Sequence, residues 1–149
     1  MSLIANNKKA NFLYYIIERM EAGIVLNGAE VKSLRNGKAS ISEAYAETEN
    51  DELWLINSDI SEYKDSTKFF KYQPKRARKL LVHKKEINKI KGKIEKEGLT
   101  IVPLKLYFNR KGLVKLEIAI AKGKKIFDKR EVKKKRDWNR QKQRLLKNS

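Results

Sequence analysis

The sequence predicts a mainly β protein, a closed barrel of about six short strands with short helices and a basic C-terminal tail. Three observations predict this class. Segments that are β-branched or alternately apolar recur between turn signals. One stretch, residues 83–97, carries apolar side chains at an extended helical spacing. Residues 122–149 hold thirteen Lys or Arg against three Asp or Glu, which is too much charge for a packed core.

The first elements in the chain are a strand and a short helical segment. Tyr14–Ile17 is aromatic and β-branched, which favours a strand. Glu21–Arg35 suits one or two short helical turns, because Gly23 and Gly28 interrupt it and Gly37 ends it.

The next elements form a hairpin. Residues 44–49 and 52–57 read as two strands joined by a turn at Asn50-Asp51. The second strand contains a continuous apolar run around Trp54. Such a run favours a strand that is covered on both faces, so we expect Trp54 to lie in the core.

A loop and the longest helix follow. Residues 64–78 are polar and basic and are expected to form a loop. His83–Glu97 has Ile residues at helical spacing, with Gly98 as its C-terminal stop. Gly92 is a candidate break within this helix.

The last two strands, Leu99–Asn109 and Leu113–Ala121, form the clearest hairpin of the chain. Short strands with one longer helix are typical of a barrel of the oligonucleotide-binding type. Periodicity alone does not fix that topology. We expect residues 1–127 to form the barrel domain and residues 128–149 to form the tail.

The charge composition indicates a polyanionic partner. A formal net charge of +18 and a pI near 10.0 favour nucleic acid first and an anionic membrane surface second. Residues 43–65 are an exception, with eight acids and a single Lys. A protein that meets RNA in one orientation would turn such a region away from the phosphates.

Several classes of protein are excluded or disfavoured. The chain has no Cys, which excludes disulfide scaffolds and thiolate metal sites. It has no apolar run of membrane-spanning length, and its first ten residues lack an apolar signal core. We therefore expect a soluble, cytoplasmic protein.

The sequence offers little for an enzyme. It has no nucleophile elbow, no phosphate-binding glycine loop and no carboxylate pair near a His. The single histidine, His83, stands at the head of the predicted helix, where it caps or flanks that helix. We expect no catalytic residue, no metal and no cofactor.

The tail combines charge with a few apolar side chains. Such a basic segment repels itself and is expected to be disordered when alone, but to fold against a polyanion. Trp138, Leu145 and Leu146 interrupt the charge. A tail that served only solubility would have no use for these three side chains.

Five stretches together resemble one bacterial family, small protein B, the SsrA-binding or transfer-messenger RNA-binding proteins. EVKSLR and AKGKK…DKR are its most specific motifs, and the resemblance runs from about Asn7 to the end. The five stretches are Asn7–Ala10, Glu21–Ile41, Arg76–Ile87, Gly98–Phe108 and Lys115–Arg130.

The resemblance implies a function in ribosome rescue by trans-translation. The family binds the tRNA-like domain of transfer-messenger RNA and takes it to ribosomes stalled on messages without a stop codon. There the protein replaces the missing anticodon arm, and its tail enters the empty mRNA channel and decoding centre of the small subunit. Elongation factor Tu accompanies the charged RNA. The family does no covalent chemistry.

The resemblance also implies site residues. The RNA-binding set comprises Asn7, Lys8, Lys9, Glu21, Leu81, Lys115, Gly123, Lys124 and Lys125. The tail set for the ribosome comprises Asp128, Lys129, Arg130, Lys133, Lys134, Lys135, Arg136, Trp138, Arg140, Arg144, Leu145 and Leu146. Phe12 stands where the family often has His, which leaves stacking as its available interaction.

Two alternatives remain open from the residues alone. One is a ribosomal or general RNA-binding protein, with a similar barrel and a basic extension but no preference for a tRNA-like shape. The other is an enzyme that acts on RNA, which His83 would have to serve.

Overall fold

The computed structural model describes residues 2–62 and 71–124. The predictions for the tail, for Lys125 and for residues 64–70 of the loop 64–78 lie outside these ranges. The strands are β1 Ser2–Asn6, β2 Tyr14–Ile24, β3 Ala39–Ser40, β4 Tyr45–Glu49, β5 Glu52–Ile56, β6 Asp59–Ile60, β7 Arg78–Leu81, β8 Thr100–Phe108 and β9 Val114–Gly123. The helices are α1 Ala10–Leu13, α2 Gly28–Arg35 and α3 Lys84–Glu97.

Six strands close into a ring, which confirms the predicted barrel. The order β8-β4-β5-β7-β2-β9 returns to β8 through the β8–β9 pairing, and every pair is antiparallel. Strand β1 adds to β8, and β3 pairs with β6 separately. Closure leaves few unpaired strand edges in this part of the chain.

The core follows from alternation along the strands. Leu116, Ile118 and Ile120 of β9 point into the barrel and are buried with residues from the other strands of the ring. The other face of β9 has a smaller cluster in which Ala119 and Ala121 pack under Ala10 of α1. Helix α1 therefore covers the outside of the barrel where β8 and β9 meet.

Helix α2 begins with a reciprocal cap and carries a buried ion pair. Asn27 accepts from the backbone N–H of Glu30, and the Glu30 carboxylate accepts from that of Asn27. Glu30 Oε2 also lies 2.6 Å from Nε of Arg78, and both side chains are buried. Arg78 completes its bonding at Ser58 and the Pro74 carbonyl. This network fixes α2 against β7.

Helix α3 matches the prediction except at Gly92, where the helix continues without a break. Gly98 ends the helix in the left-handed conformation, with φ of 63°. His83 occupies the N-cap position, but its side chain makes no capping hydrogen bond. Ile90 is fully buried in the core and secures the helix against the barrel.

Three local predictions were wrong or incomplete. Glu21–Ile24 belongs to strand β2 and not to a helix. Trp54 is only half-buried, because the inward residues of β5 are Leu53 and Leu55. The short strands β1, β3, β6 and β7 were not predicted.

Candidate nucleic-acid interface

Five paired residues form a row across the outside of the barrel. The pairings are Leu3 with Tyr107, Tyr107 with Lys115, Lys115 with Gly23, and Gly23 with Leu81. Paired residues on neighbouring strands share a face, and the residues next to them in sequence fill the core. The row therefore lies on the outer surface of β1, β8, β9, β2 and β7. We call it the outer row.

The two ends of the outer row are apolar and exposed. Leu3 is 59% exposed and Leu81 is 52% exposed. Between them, Gly23 has no side chain, and a Cβ built there would lie 3.3 Å from the Leu81 Cβ. Gly23 therefore leaves room for the Leu81 side chain to pack closely against β2.

Glu21 lies beside the outer row and is held by a tyrosine. The Tyr107 hydroxyl donates a hydrogen bond to Glu21 Oε2. Burial raises the pKa of Tyr107, and the hydrogen bond to Glu21 raises it further, so the phenol stays protonated and remains a donor. Glu21 is exposed, so its carboxylate remains accessible beside this bond. It can accept from a base edge or from a ribose hydroxyl.

A second carboxylate lies next to Glu21. Glu117 is its direct cross-strand partner on β9. Like charges in this relation are unfavourable, and Arg19 offsets them by lying 3.5 Å from Glu117 Oε1. The Tyr107 hydroxyl thus holds the Glu21 carboxylate. Arg19 reduces the repulsion between Glu21 and Glu117.

A shallow hollow of about 480 Å³ adjoins Glu21, and three of its lining residues are basic. Its lining residues are Glu21, Asn109, Arg110, Lys111, Leu113 and Lys115. The β8–β9 turn forms one wall, and Asn109 Oδ1 holds that turn by accepting from the backbone N–H groups of Lys111 and Leu113. Three cations around one acid are suited to phosphate contacts, with the acid setting orientation.

Asn7, Lys8 and Lys9 do not act alike. The Asn7 side chain is buried and donates to the Pro103 carbonyl at 2.9 Å, so it anchors the chain between β1 and α1. Lys8 and Lys9 are exposed, and Lys9 lies 3.8 Å from Glu43. The two lysines remain candidates for phosphate contacts, whereas Asn7 is placed to position them.

The end of β9 forms a second basic and aromatic site. Lys124 Nζ lies 4.6 Å from the centroid of the Tyr15 ring and donates to the Asn11 carbonyl at 3.0 Å. Gly123 pairs with Tyr14 at this end of the barrel. Phe12, on the adjoining helix α1, is 82% exposed. Such an exposed ring beside cations can stack on a base.

Comparisons with known proteins match the chain to one family. The model of the family "SmpB protein" matches residues 4–148. The SsrA-binding protein of Agrobacterium fabrum is 59% identical over 145 residues, covering 97% of this chain and 90% of that protein. The SsrA-binding protein of Afipia carboxidovorans is 56% identical over 146 residues, covering 98% and 92%.

The chain belongs to the SmpB family. A solved structure named "tmRNA-SmpB: a journey to the center of the bacterial ribosome" matches with a TM-score of 0.65 and 45% identity. The match covers 80% of this chain and 82% of that one. The family that the motifs indicated is therefore confirmed, together with its barrel fold.

The described part of this SmpB chain, residues 2–62 and 71–124, contains no group of three His, Cys, Asp or Glu that could hold a metal ion. Within the same residues, no helix is long and apolar enough to cross a membrane. His83 is exposed at the start of α3.

Tyr107 and Gly23 were missing from the predicted site. Alternation along β8 could have placed Tyr107 on the outer face, but its bond to Glu21 depends on β9 lying between β8 and β2. Gly23 was interpreted as a helix breaker, whereas it makes room for Leu81. Both roles depend on strand order, which local sequence does not encode.

Proposed function

We propose that this chain is an RNA-binding protein of trans-translation that takes the tRNA-like domain of transfer-messenger RNA through its outer row. The observation that carries this proposal is the position of three of the expected RNA-binding residues. Glu21, Leu81 and Lys115 come from distant segments, and the barrel brings them to one face on adjacent strands. A basic turn and an exposed aliphatic side chain flank an acid that is held in place.

Different side chains provide the affinity for RNA and the orientation of the bound RNA. Lysines and arginines around the hollow gain binding energy from phosphate contacts and counterion release. Glu21 gains nothing from phosphates and must meet a donor on the RNA. A folded RNA that presents its backbone to the turn and a donor to Glu21 is favoured over an unstructured strand.

The proposed action continues on the ribosome. The barrel, residues 1–127, would hold the RNA, and elongation factor Tu would accompany the charged complex. On a ribosome stalled without a stop codon, the protein would stand in for the absent anticodon arm. The basic residues 128–149 would occupy the empty mRNA channel and the decoding centre. This assigns the protein to the cytoplasm and gives it no covalent chemistry.

Competition binding tests the proposal. The full chain should bind a tRNA-like RNA more tightly than an unstructured RNA of equal length at one salt concentration. Glu21→Ala should weaken the tRNA-like complex, although removing an acid strengthens a purely charge-driven one. Glu95→Ala, at an exposed acid on α3, is the matched control and should not weaken it. Equal affinity for both RNAs would favour a general RNA-binding protein instead.

A further inference from the structure

The outer surface of β4 and β5 is an unpartnered sheet face that is both acidic and aromatic. Its side chains alternate with the buried Ala46, Leu53 and Leu55. Between residues 43 and 62 the chain has seven Asp or Glu and no Lys or Arg. We call this surface the acidic face; it consists of Tyr45, Glu47, Glu49, Glu52, Trp54 and Ile56.

Two carboxylates of the acidic face pair with no cation of the described residues. Glu52 lies 3.1 Å from Lys79 of β7, and Asp51 at the hairpin tip pairs with Lys91 of α3. Glu47 and Glu49 are exposed and make no ion pair with residues 2–62 or 71–124. In a chain with 36 Lys or Arg, these carboxylates attract the chain's own cations.

The basic tail begins close to this face. Thr100 of β8 pairs with Ala121 near the end of β9, and the next residue, Ile101, pairs with Ala46 of β4. One strand therefore separates β4 from β9, a distance of about 10 Å between the two strands. Residues 125–149 follow, with eleven Lys or Arg against three Asp or Glu. This segment is long enough to cover the acidic face.

We propose that residues 125–149 lie against the acidic face when no RNA is bound, and that RNA displaces them. The tether keeps the tail at an effective concentration of about millimolar, so weak charge attraction is enough. Trp138 can pack on the exposed ring of Tyr45. An RNA duplex has a higher charge density than the acidic face, so it binds the basic tail more strongly and displaces it from that face. The contact would shield the tail from unrelated RNA until the proper complex forms.

Paramagnetic relaxation enhancement tests this contact in the full chain. The chain has no Cys, so Gln143→Cys places a single nitroxide in the tail without changing its charge. We expect amide signals of β4 and β5 to broaden. The broadening should be lost in Glu47→Gln/Glu49→Gln and in 1 M NaCl, where screening acts within about 3 Å. It should also be lost when a tRNA-like RNA is added.

A matched control variant and a mixture of labelled and unlabelled chains test whether the contact is specific and within one molecule. Glu95→Gln/Glu97→Gln removes the same charge from α3 and should leave the broadening of β4 and β5 intact. If this control loses the broadening equally, the effect depends only on net charge. The assignment of the contact to the acidic face would then be wrong. Absence of broadening, or broadening elsewhere only, would also overturn it. If β4 and β5 broaden only when a separately labelled copy of the chain is added, the acidic face receives the tail of another molecule. That outcome contradicts the proposal.

Discussion

Tyr107 on β8 donates a hydrogen bond to Glu21 on β2, and the bond reaches over the intervening strand β9. Tyr107 is only 8% exposed, whereas Glu21 is an exposed residue. One end of the bond is thus rigid, and the other faces a partner. A surface glutamate normally samples several rotamers, and this donor reduces that freedom before any RNA arrives.

Tyr107→Phe should therefore weaken binding of the tRNA-like RNA while leaving the fold intact, because only the hydroxyl is removed. The expected loss is about tenfold or more, because one hydrogen bond to a charged group contributes about 1.5–3 kcal/mol. Titration of the RNA against wild type and variant measures the loss, and thermal unfolding checks the fold.

A double-mutant cycle separates positioning from a general effect of Tyr107. In a Glu21→Ala background, Tyr107→Phe should cause no further loss of affinity. Tyr72→Phe is the matched control, since that hydroxyl donates to the Ile60 carbonyl at 2.7 Å, away from the outer row. Additive losses in the cycle would contradict a role through Glu21.

Glu30→Gln should destabilise the barrel by about 3 kcal/mol, because it leaves the fully buried Arg78 without its counter-charge. Chemical denaturation measures the difference. Glu95→Gln on α3, where the acid is exposed, should change stability by less than about 0.5 kcal/mol.

The same ion pair makes stability depend on acid. Burial alone would raise the pKa of Glu30, but hydrogen bonds from Arg76 and Asn27 and the charge of Arg78 hold it below its usual 4.5. A lowered pKa in the folded state stabilises the fold above the unfolded value, and this contribution is lost as pH falls through the folded value. The stability gap between wild type and Glu30→Gln should therefore narrow below about pH 4.5. A constant gap would contradict the argument.

Sequence reasoning succeeded where local pattern and pairing agree. Alternation in Leu113–Ala121 predicted β9, and the Ile spacing predicted α3. It failed at Gly23, because β2 continues to Ile24 through its pairings with β9 and β7. It also failed at Gly92: a glycine costs a helix about 1 kcal/mol, and burial of Ile90 offsets that cost.

The site shows the same limit. The family motifs supplied Glu21, Leu81 and Lys115, but spacing along the chain could not show that they share one row. Asn7 was expected at the RNA surface, and its amide instead bonds to Pro103 inside the protein. Burial of a polar side chain depends on which strand passes beside it, here β8, and that is a non-local property.

The barrel and the tail should be separable. A chain that ends at Phe127 should fold and bind the tRNA-like RNA, because the strands of the ring end by Gly123. It should not support tagging on stalled ribosomes, because the segment proposed for the decoding centre is missing. Binding assays and a reconstituted tagging reaction measure the two activities. Equal tagging by the truncated and full-length chains would contradict this division.

The two leucines of the tail, Leu145 and Leu146, should matter only on the ribosome. Trp138, Leu145 and Leu146 are spaced seven and eight apart, which places them along one side of a helix. This stripe is thin, and the like charges of Lys133–Arg136 oppose a helix in water. A peptide of residues 128–149 should therefore give a coil-like circular dichroism spectrum. In a channel lined with RNA the same charges become favourable, and Trp138 can stack.

Leu145→Ala together with Leu146→Ala should consequently lower tagging on stalled ribosomes and leave affinity for the isolated RNA unchanged. Gln141→Ala together with Gln143→Ala is the matched control, since it shortens two side chains of the same segment without removing apolar surface. Protease footprinting on stalled ribosomes should show protection of residues 128–149 in wild type and less in the leucine variant. A peptide that is already helical in water would contradict folding on the ribosome, because no ordering would then remain for the ribosome to induce. Full tagging by the leucine variant would contradict it as well.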